Sequence, residues 1–410
     1  MLKNIKQGKY FLGLDLGSYS IKAALVRAQD ETNLELLSVF ETPSAGLREA
    51  SVSDLSELSS TIKKVVEGVS QRTAIKPQAV RLGISADLLS VRRSSAIVPL
   101  VAAGTKVVAP SDIMKVNHQA RLLGVAIDEE IIHDFEQYYK VDDANVALNP
   151  LGLYGSKIES NLLLLTANSA RLRNLTKSVH QAGFDVQKVS LSSFAASQVA
   201  MEESFKKEGC ALIDIGAHMT TVLFFKDGII ADAQFIKWGG HFITQSISDR
   251  LSLTLDLAEE IKKTHAVASK LTAQEVSGDI LVKREKGYVP IRRENVCEAV
   301  QWEIENLLTH LETVLKGSGF FHQLNKGAVV VGGTALLPGL IERIEQMTNL
   351  NVSLGIATKG LQNPSIFAGA IGLAQMNYTQ KRNERVNLVT TKSWVKKVMG
   401  KFEEVCQEYF

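Results

Sequence analysis

The sequence predicts an α/β protein whose core is built twice. Two segments carry this prediction: "FLGLDLGSYSIKAALV", which begins at Phe11, and "CALIDIGAHMTTVLFF", which begins at Cys210. Aligned, they place Asp15 over Asp214, a constant offset of 214 − 15 = 199 residues. Each segment reads as an apolar strand, an Asp-apolar-Gly turn with small polar residues and a second apolar strand, the pattern of a β-hairpin. Because strands alternate with helices after each hairpin, the chain favours a duplicated α/β core.

The remaining elements of the first half follow from hydrophobic periodicity and turn residues. The predicted elements are a strand at 34–40, a helix at 53–70, strands at 79–85 and 91–99, a helix at 111–125, a strand at 161–168 and a helix at 169–183. Ser111 is expected to cap the helix at 111–125, and Gly183 to end the last helix.

The second half opens with the repeated hairpin at 210–225 and continues in the same way. The predicted elements are two helical runs within 239–266, a longer helix at 294–319, a strand, Gly-Gly turn and helix start at 328–348, and a closing helix at 363–378. Residues 379–392 are polar and are expected to form a flexible linker to the last eighteen residues.

Length and composition exclude several classes of protein. With 410 residues, of which 45% are hydrophobic, the chain is long enough for two or more domains. A net charge of +2 indicates no general affinity for nucleic acid. The cysteines Cys210, Cys297 and Cys406 lie far apart, so a reducing cytosol is expected rather than disulfides or a zinc site. No run approaches the roughly 18–20 apolar residues that span a bilayer, and the N-terminus lacks the apolar stretch of a signal peptide.

The two hairpin turns have the chemistry of a phosphate cradle. Glycine lets the backbone approach an anion closely, and backbone N–H groups supply fixed positive dipoles. A preceding aspartate repels a bare phosphate, so Asp15 and Asp214 are expected to hold Mg²⁺ through water. Either turn alone is more simply explained as a hairpin with a glycine turn. As a pair, one in each half, they are predicted to hold a polyphosphate between them.

Two further segments favour a nucleoside. Gly332 and Gly333 directly follow a buried strand, where bare backbone can lie against a nucleoside. Glu259 and Lys262 are three apart on a helix and can both meet a ribose or base, although an isolated pair of this kind is only an ion pair. The candidate nucleotide-binding residues are Gly17, Ser18, Tyr19, Ser20, Lys22, Gly216, Ala217, His218, Met219, Thr220, Gly239, Gly240, Glu259, Lys262, Gly332, Gly333 and Thr334, with Asp15 and Asp214 as the tentative catalytic and metal residues.

These elements, in this order, resemble the superfamily of actin, Hsp70 and the sugar kinases. The resemblance lies at residues 13–22, 212–221 and 331–334, which correspond to two phosphate hairpins and a Gly-Gly adenosine turn. It implies an actin-like duplicated ATPase fold, with ATP and Mg²⁺ held in a cleft between the two halves.

The segment between the hairpins resembles a narrower family, the bacterial cell-division proteins called FtsA. Residues 131–159 contain Val141-Asp142 and then "NPLGLYG" at 149–155, which are similar to the subdomain inserted in that family. "SAGLRE" at 44–49 and the segment from Trp238 to Lys262 are also similar, and the likeness covers most of 9–378. It implies an inserted α+β subdomain in the first half and a C-terminal amphipathic helix.

The expected division of the chain follows that family. The predicted parts are a first core subdomain at 1–80, 164–205 and 365–378, the inserted subdomain at 81–163, a second core subdomain at 206–245 and 318–364, a smaller subdomain at 246–317, the linker at 379–392 and the amphipathic helix at 393–410.

The second hairpin departs from the family, which usually reads Asp-Ile-Gly-Gly-Gly-Thr-Thr-Asp. Here Ala217, His218 and Met219 replace Gly, Gly and Thr, and Thr221 replaces the last Asp. "DIGAHMTT" is closer to the pilus-assembly protein PilM, another actin-like protein. His218 either contacts a phosphate or covers the turn. Bulky side chains in the cleft favour slow or regulatory ATP turnover, and the candidates for a general base are Gln198 and Glu202.

The last eighteen residues are predicted to form a helix with one apolar face and a lysine-rich start. The expected membrane-contacting residues are Trp394, Val395, Val398, Met399, Phe402, Val405, Tyr409 and Phe410, with Lys396, Lys397 and Lys401 beside them. A free linker, lysines and aromatic residues on the apolar face favour a membrane surface with anionic lipids; the alternative is a helix packed on its own domain or a partner. One such helix is expected to bind weakly, and many copies on a polymer firmly.

The resemblance implies a protein that polymerises on the cytoplasmic face of the inner membrane at the division site and anchors the FtsZ ring. It implies that the FtsZ C-terminal tail docks on 246–317, where Arg292 and Arg293 either receive an acidic tail or form a solvated turn, and that later division proteins meet the inserted subdomain. Two alternatives remain: a PilM-like adaptor of type IV pilus assembly, and an enzyme of the sugar-kinase type, for which the sequence offers no sugar-pocket motif.

Overall fold

The structure is a computed structural model. It describes residues 9–29, 34–101, 104–142, 145–270, 274, 276–284, 287–358 and 360–376. The predicted linker and amphipathic helix lie outside the described residues, as do the last two residues of the predicted closing helix.

The first half contains thirteen strands and five helices in the described ranges. In chain order they are β1 (Lys9–Leu16), β2 (Ser20–Ala28), β3 (Leu34–Pro43), β4 (Leu47–Arg48), β5 (Ser51–Val52), α1 (Leu55–Thr73), β6 (Ala79–Ile84), β7 (Leu89–Pro99), β8 (Lys106–Val107), α2 (Pro110–Gly124), β9 (Glu129–Val141), β10 (Asn145–Ala147), β11 (Tyr154–Gly155), β12 (Lys157–Asn168), α3 (Ser169–Gln181), β13 (Asp185–Leu191), α4 (Ser192–Ala200) and α5 (Glu203–Glu208).

The second half follows the same plan. Its elements are β14 (Cys210–Ile215), β15 (Thr220–Lys226), β16 (Ile229–Ile236), α6 (Gly240–Leu251), α7 (Leu255–His265), β17 (Asp279–Arg284), β18 (Gly287–Arg292), α8 (Arg293–Gly317), β19 (Ala328–Val331), α9 (Leu340–Thr348) and β20 (Val352–Leu354). Residues 368–376 are helical, and short 3₁₀ turns occupy Ala86–Leu88, Phe321–Gln323, Thr334–Leu336 and Pro364–Phe367.

The two halves contain five-stranded sheets of the same topology. The first sheet has the order β3-β2-β1-β6-β13, and the second has the order β16-β15-β14-β19-β20. In each, the first three strands are antiparallel and the last two run parallel to the third. The predicted hairpins are β1–β2 and β14–β15, with Asp15 and Asp214 one residue before the strand end. The predicted duplicated α/β core is confirmed.

A third sheet lies within the first half, between the two core sheets in sequence. Its antiparallel order is β10-β9-β12-β7, and α2 packs on it around Val116, Tyr139 and Leu164. The sheet also contacts the second half, because Arg93 on β7 pairs with Asp232 on β16 at 3.0 Å. This sheet and α2 supply the α+β insertion that the sequence predicts.

Hydrophobic packing joins the two core sheets. One cluster of buried side chains runs from Leu12 and Leu82 in the first sheet to Leu212 and Val329 in the second. A second cluster covers the other face of the second sheet, where Ile213 packs with residues of α6 and α8. Because the second sheet is buried on both faces, the ends of its central strands are held firmly at the junction of the halves.

Helix α2 begins one residue earlier than predicted, and Ser111 does not cap it. Pro110 occupies the first helical position, where its fixed φ suits a helix and its missing N–H costs nothing. The capping residue is Ala109, whose backbone N–H donates to Asp112 Oδ2 at 2.9 Å. That bond, with the nearby Lys106, lowers the pKa of Asp112. The Ser111 prediction was wrong because it overlooked the proline.

Candidate functional site

The two hairpin aspartates meet at the start of one helix. Ser192 Oγ donates to Asp15 Oδ1 at 2.6 Å, and Ser193 Oγ donates to Asp214 Oδ2 at 2.6 Å. These serines are the first two residues of α4, which follows β13. The positive end of a helix stabilises nearby carboxylates. The predicted pair of aspartates is therefore brought together, one from each half of the chain.

The electrostatics of this pair favour a cation. Burial raises the pKa of Asp214, and the negative charge of Asp15 raises it further, whereas the Ser193 hydrogen bond and Lys22 lower it. A divalent cation relieves both the desolvation and the repulsion of adjacent carboxylates. The described residues contain no group of three or more His, Cys, Asp or Glu side chains placed to hold a metal directly. The donor set thus fits Mg²⁺ bound largely through water.

Two glycines lie close to the carboxylates. A Cβ on Gly332 would lie 2.7 Å from Asp214 Oδ1, and a Cβ on Gly369 would lie 2.9 Å from Asp15 Oδ2. Gly332 also has φ +95°, in the left-handed region that favours glycine. The absence of a side chain at these two positions therefore lets the backbone pack closely against one carboxylate oxygen of each aspartate.

The other predicted segments of the second half form one hydrogen-bonded web. The Gly240 N–H and Thr334 Oγ1 both donate to the carbonyl of Gly216, at 3.0 and 2.9 Å. Lys262 Nζ lies 2.6 Å from Glu259 Oε2 and donates to the Gly240 carbonyl at 3.0 Å. These contacts therefore link four segments to one another: the second hairpin turn, the start of α6, the Glu-Lys pair of α7 and the Gly-Gly turn.

Lys262 is a partly buried member of this group of contacts. Burial lowers the pKa of its ammonium, and the contact with Glu259 opposes that shift. Its Nζ also donates to Thr244 Oγ1 at 2.8 Å, and Thr244 in turn donates to Glu259 at 2.6 Å. The pair is thereby fixed in place rather than solvated, in contrast to an ordinary i,i+3 ion pair on a helix surface.

Direct contacts cross between the halves at the first hairpin turn. Ser18 Oγ lies 2.9 Å from His218 Nδ1, which joins the tips of the two turns. Next to it, Lys263 Nζ donates to Tyr19 Oη at 2.6 Å and lies 4.8 Å from the centre of that ring. We call these two the cross-cleft contacts. They place the first turn against both the second turn and α7.

Other predicted residues lie elsewhere. Gln198 donates to Ser197 Oγ at 3.0 Å, and Glu202 is exposed at the start of α5, where it accepts from Ser204. Arg292 is exposed at the end of β18. Arg293 opens α8, and its Nε is buried without a hydrogen-bond partner among the described residues.

Several residues of the site were not predicted from the sequence. Ser192, Ser193, Lys263, His241 and Gly369 all touch predicted site residues. A local signal existed only for the serines, since Ser-Ser after a strand is a common helix start. That signal was missed because β13, "DVQKVSL", is half polar and was not predicted as a strand.

Comparison with known proteins identifies two family models in the chain. The model described as "Cell division protein FtsA" matches residues 211–372, and the model described as "SHS2 domain inserted in FTSA" matches residues 88–166. Cell division protein FtsA of Streptococcus pneumoniae is 28% identical over 367 residues, covering 89% of this chain and 79% of that protein. Its counterpart from Pseudomonas aeruginosa is 26% identical over 397 residues, covering 94% and 93%.

Solved structures of the same fold are more distant in sequence. The PilM–PilN type IV pilus biogenesis complex includes a chain of 17% identity with a TM-score of 0.65, covering 90% of this chain and 98% of that one. MreB5 of Spiroplasma citri bound to ADP matches at 13% identity with a TM-score of 0.55, covering 92% and 98%. At these identities the likeness shows the actin-like fold alone. No helix in the part of the chain that the structure describes is long and apolar enough to cross a membrane.

Proposed function

Since the chain belongs to the FtsA family of bacterial cell-division proteins, we propose that it binds ATP, polymerises on the inner membrane and anchors the FtsZ ring. The observation that supports the nucleotide part is the set of hydrogen bonds that join the four predicted segments. These bonds involve both aspartates, both turns, the Glu259–Lys262 pair and the Gly-Gly turn.

Each segment is proposed to hold a different part of MgATP. The two turns would hold the polyphosphate, with Asp15 and Asp214 holding Mg²⁺ through water. Gly332 and Gly333 would lie against the nucleoside, and Glu259 and Lys262 beside its ribose or base. When bound, Mg²⁺ neutralises phosphate charge and fixes the polyphosphate geometry. The fold shared with MreB5, whose solved structure holds ADP, supports this assignment.

Turnover of ATP is proposed to be slow. A fast hydrolase needs a base that orients the attacking water close to the terminal phosphate. Glu202 is exposed at the start of α5, and Gln198 is engaged with Ser197, so neither has the contacts of a strong base. Ala217, His218 and Met219 are each larger than the residue usual at that position in the family and would narrow the space for water beside the second turn. The nucleotide would then act mainly by binding and favouring one conformation, and less by supplying energy through hydrolysis.

Attachment to the membrane is assigned to the sequence of residues 393–410. Each large apolar side chain contributes at most about 1.5–3 kcal/mol on burial, and ordering the backbone costs roughly 1–2 kcal/mol per residue. One helix would therefore bind weakly. Copies carried on a filament would bind firmly, because each later attachment is effectively intramolecular. We place the protein peripherally, on the cytoplasmic face of the inner membrane at the division site.

Partners are assigned to the parts expected from the family. The FtsZ C-terminal tail would dock on the smaller subdomain at 246–317, where exposed Arg292 precedes α8. Later division proteins would meet the inserted subdomain at 81–163. Self-association into filaments would set the distance between neighbouring membrane helices. No nucleic acid is part of this proposal, since the chain carries a net charge of only +2.

The first experiment is co-sedimentation with anionic liposomes in the presence of MgATP. The full chain is compared with residues 1–380 and with a full-length control in which Trp394 and Phe402 are both changed to serine. We expect only the full-length wild-type protein to pellet with the liposomes. Less of it should pellet at high salt, because salt screens the attraction between the lysines and the anionic lipids. If all three proteins stay in solution at concentrations where filaments form, the tail is not a membrane anchor and this proposal is wrong.

A further inference from the structure

The tips of the two hairpin turns touch each other at the proposed position of the polyphosphate. Ser18 Oγ and His218 Nδ1 are 2.9 Å apart and bridge the turns directly. In the described part of the chain, the backbone N–H groups of Ser18, Tyr19, Ala217 and His218 take part in no backbone hydrogen bond. Free N–H groups at the tips of two facing turns suit an anion. The His218 ring therefore lies at the entrance to the proposed phosphate position.

A second histidine lies against the first. The rings of His218 and His241 are stacked, with centres 4.5 Å apart and planes 29° from parallel. His241 is the second residue of α6, and its backbone N–H donates to the Ala217 carbonyl at 2.8 Å. That bond fixes His241 to the second turn, so the two imidazoles stay side by side. Both lie at the N-terminal end of a twelve-residue helix, where negative charge is favoured.

The charged groups around His218 set its protonation. Burial lowers the pKa of His218 and the neighbouring His241 lowers it further, whereas Glu49 and Asp87 raise it. Of these carboxylates, Asp87 is also 3.7 Å from Arg171, which reduces its influence. In the absence of an anion, His218 is thus neutral near pH 7. An anion in contact with the ring would favour the protonated form instead.

We propose that His218, backed by His241, is a phosphate ligand that this chain uses in place of the glycine usual at this position of the family. On nucleotide binding, the His218 ring exchanges the hydroxyl of Ser18 for a phosphate oxygen. This inference rests on the proposed ATP binding and adds a pH-dependent recognition step to it.

A measurable consequence is proton uptake on binding. If one imidazole takes up a proton when the phosphate arrives, affinity rises as pH falls, by up to about tenfold per pH unit in the range where histidine titrates. Without an imidazole ligand, the proposed site holds backbone N–H groups, lysine and the two aspartates. Because the pKa of Asp214 is raised, its need to ionise when it holds Mg²⁺ would make acidification weaken binding. Protonation of the nucleotide itself would weaken binding further.

The test is calorimetric titration of the full chain with MgATP between about pH 6 and pH 8, in two buffers of different ionisation enthalpy. The variants are His218→Gln, His218→Gly and His241→Gln, with the exposed His180→Gln as matched control. Thermal unfolding confirms that each variant is folded. We expect the wild type and H180Q to take up a proton and to bind more tightly at low pH. H218Q and H218G should lose this tighter binding at low pH and bind about tenfold more weakly at the acidic end, as expected for a lost charge-assisted hydrogen bond. H241Q should show a smaller loss.

Two results would overturn the inference and leave ATP binding intact. One is equal affinity and equal pH dependence in the wild type and H218Q, which would mean that the ring only covers the turn. The other is tighter binding by H218G at every pH, which would mean that the ring is only an obstacle. If no protein binds MgATP at any pH, the proposed nucleotide function fails together with this inference. Proton uptake by the wild type is measured independently of whether any variant folds.

Discussion

Asp15 and Asp214 lie in different halves of the chain, yet two consecutive residues of one helix hold them. Ser192 and Ser193 each donate a 2.6 Å hydrogen bond, one to each carboxylate. A rotation of one half against the other has to lengthen at least one of these bonds. A movement of the two halves relative to each other would therefore change the hydrogen bonding of this aspartate pair at the start of α4.

Replacing Asp214 by asparagine should separate stability from ligand binding. Burial and the nearby Asp15 raise the pKa of Asp214, so its ionised form is disfavoured in the folded state. The folded protein therefore loses stability as the pH rises from the ordinary pKa of aspartate through the raised pKa of Asp214. Asparagine removes that charge and still accepts from Ser193. We expect D214N to unfold at an equal or higher temperature and to bind MgATP at least about tenfold more weakly, the loss expected for one charge-assisted contact.

Thermal unfolding and calorimetric titration measure the two effects on the same samples. The exposed Asp185→Asn on β13 is the matched control and should change neither quantity. A D214N protein that unfolds at a lower temperature and binds MgATP normally would show that Asp214 is structural only.

Gly332 and Gly333 are adjacent, but only the first is expected to resist substitution. A Cβ on Gly332 would lie 2.4 Å from the Ile215 carbonyl oxygen, at a φ of +95°. Gly333 has φ −67°, and no described atom lies within 4 Å of its added Cβ. We expect G332A to lower the free energy of unfolding by about 1–3 kcal/mol and G333A to change it by less than about 0.5 kcal/mol. Urea unfolding of both variants gives the comparison, and equal losses would argue against strain at Gly332.

The Tyr19–Lys263 contact should slow the release of nucleotide. It combines a 2.6 Å hydrogen bond with a lysine 4.8 Å from the ring centre, and it links the first turn to α7 across the cleft. Tyr19→Phe keeps the ring and removes the hydroxyl, whereas Tyr19→Ala removes both. An exposed contact of this kind is worth about 0.5–1 kcal/mol, so we expect release to be roughly 2–5-fold faster in Y19A and less accelerated in Y19F.

Stopped-flow displacement of a fluorescent ATP analogue measures this release. Lys270→Ala serves as control, because Lys270 pairs with Glu305 on α8 instead. Equal release rates in Y19A and the wild type would show that the Tyr19–Lys263 contact does not slow the release of nucleotide.

Much of the site could be predicted from the sequence because its motifs are local. The Asp-apolar-Gly turns, the Gly-Gly pair after β19 and the i,i+3 pair Glu259–Lys262 are each visible within a few residues. The structure links these segments by hydrogen bonds. Their order along the chain carried the resemblance that the family models then bore out.

The site residues that the sequence did not predict contact residues that are far away from them along the chain. Ser192 and Asp15 are 177 positions apart, and Tyr19 and Lys263 are 244 apart. Nothing in the residues around Lys263 marks it as a partner of the first turn, because that role depends on how the halves pack. The prediction that Ser111 caps α2 was wrong for the opposite reason. It used the local preference of serine for a helix cap and overlooked the stronger local preference of Pro110 for the first helical position.

His133 links the inserted sheet to the strand that leads into α4, and its neutral state should make stability depend on pH. Its Nε2 accepts the Leu191 N–H at 2.9 Å, and its ring packs against Phe135 and Phe194. Burial lowers the pKa of His133 to about 3. An unfolded histidine titrates near pH 6.5, so below that pH the unfolded chain binds one proton more than the folded chain.

The stability contributed by His133 is therefore fully present above about pH 6.5 and falls by up to about 1.4 kcal/mol per pH unit as the solution is acidified towards pH 3. Glutamine at this position does not titrate, and its side-chain oxygen can still accept from Leu191. We expect H133Q to be less stable than the wild type near pH 7, because the ring packing is lost, and the difference to shrink with each unit of acidification below about pH 6.5. Urea unfolding followed over this range measures the difference, with H180Q expected to parallel the wild type throughout. Parallel curves for H133Q and the wild type would instead mean that His133 is protonated in the fold, and that the bond to Leu191 does not hold the ring neutral.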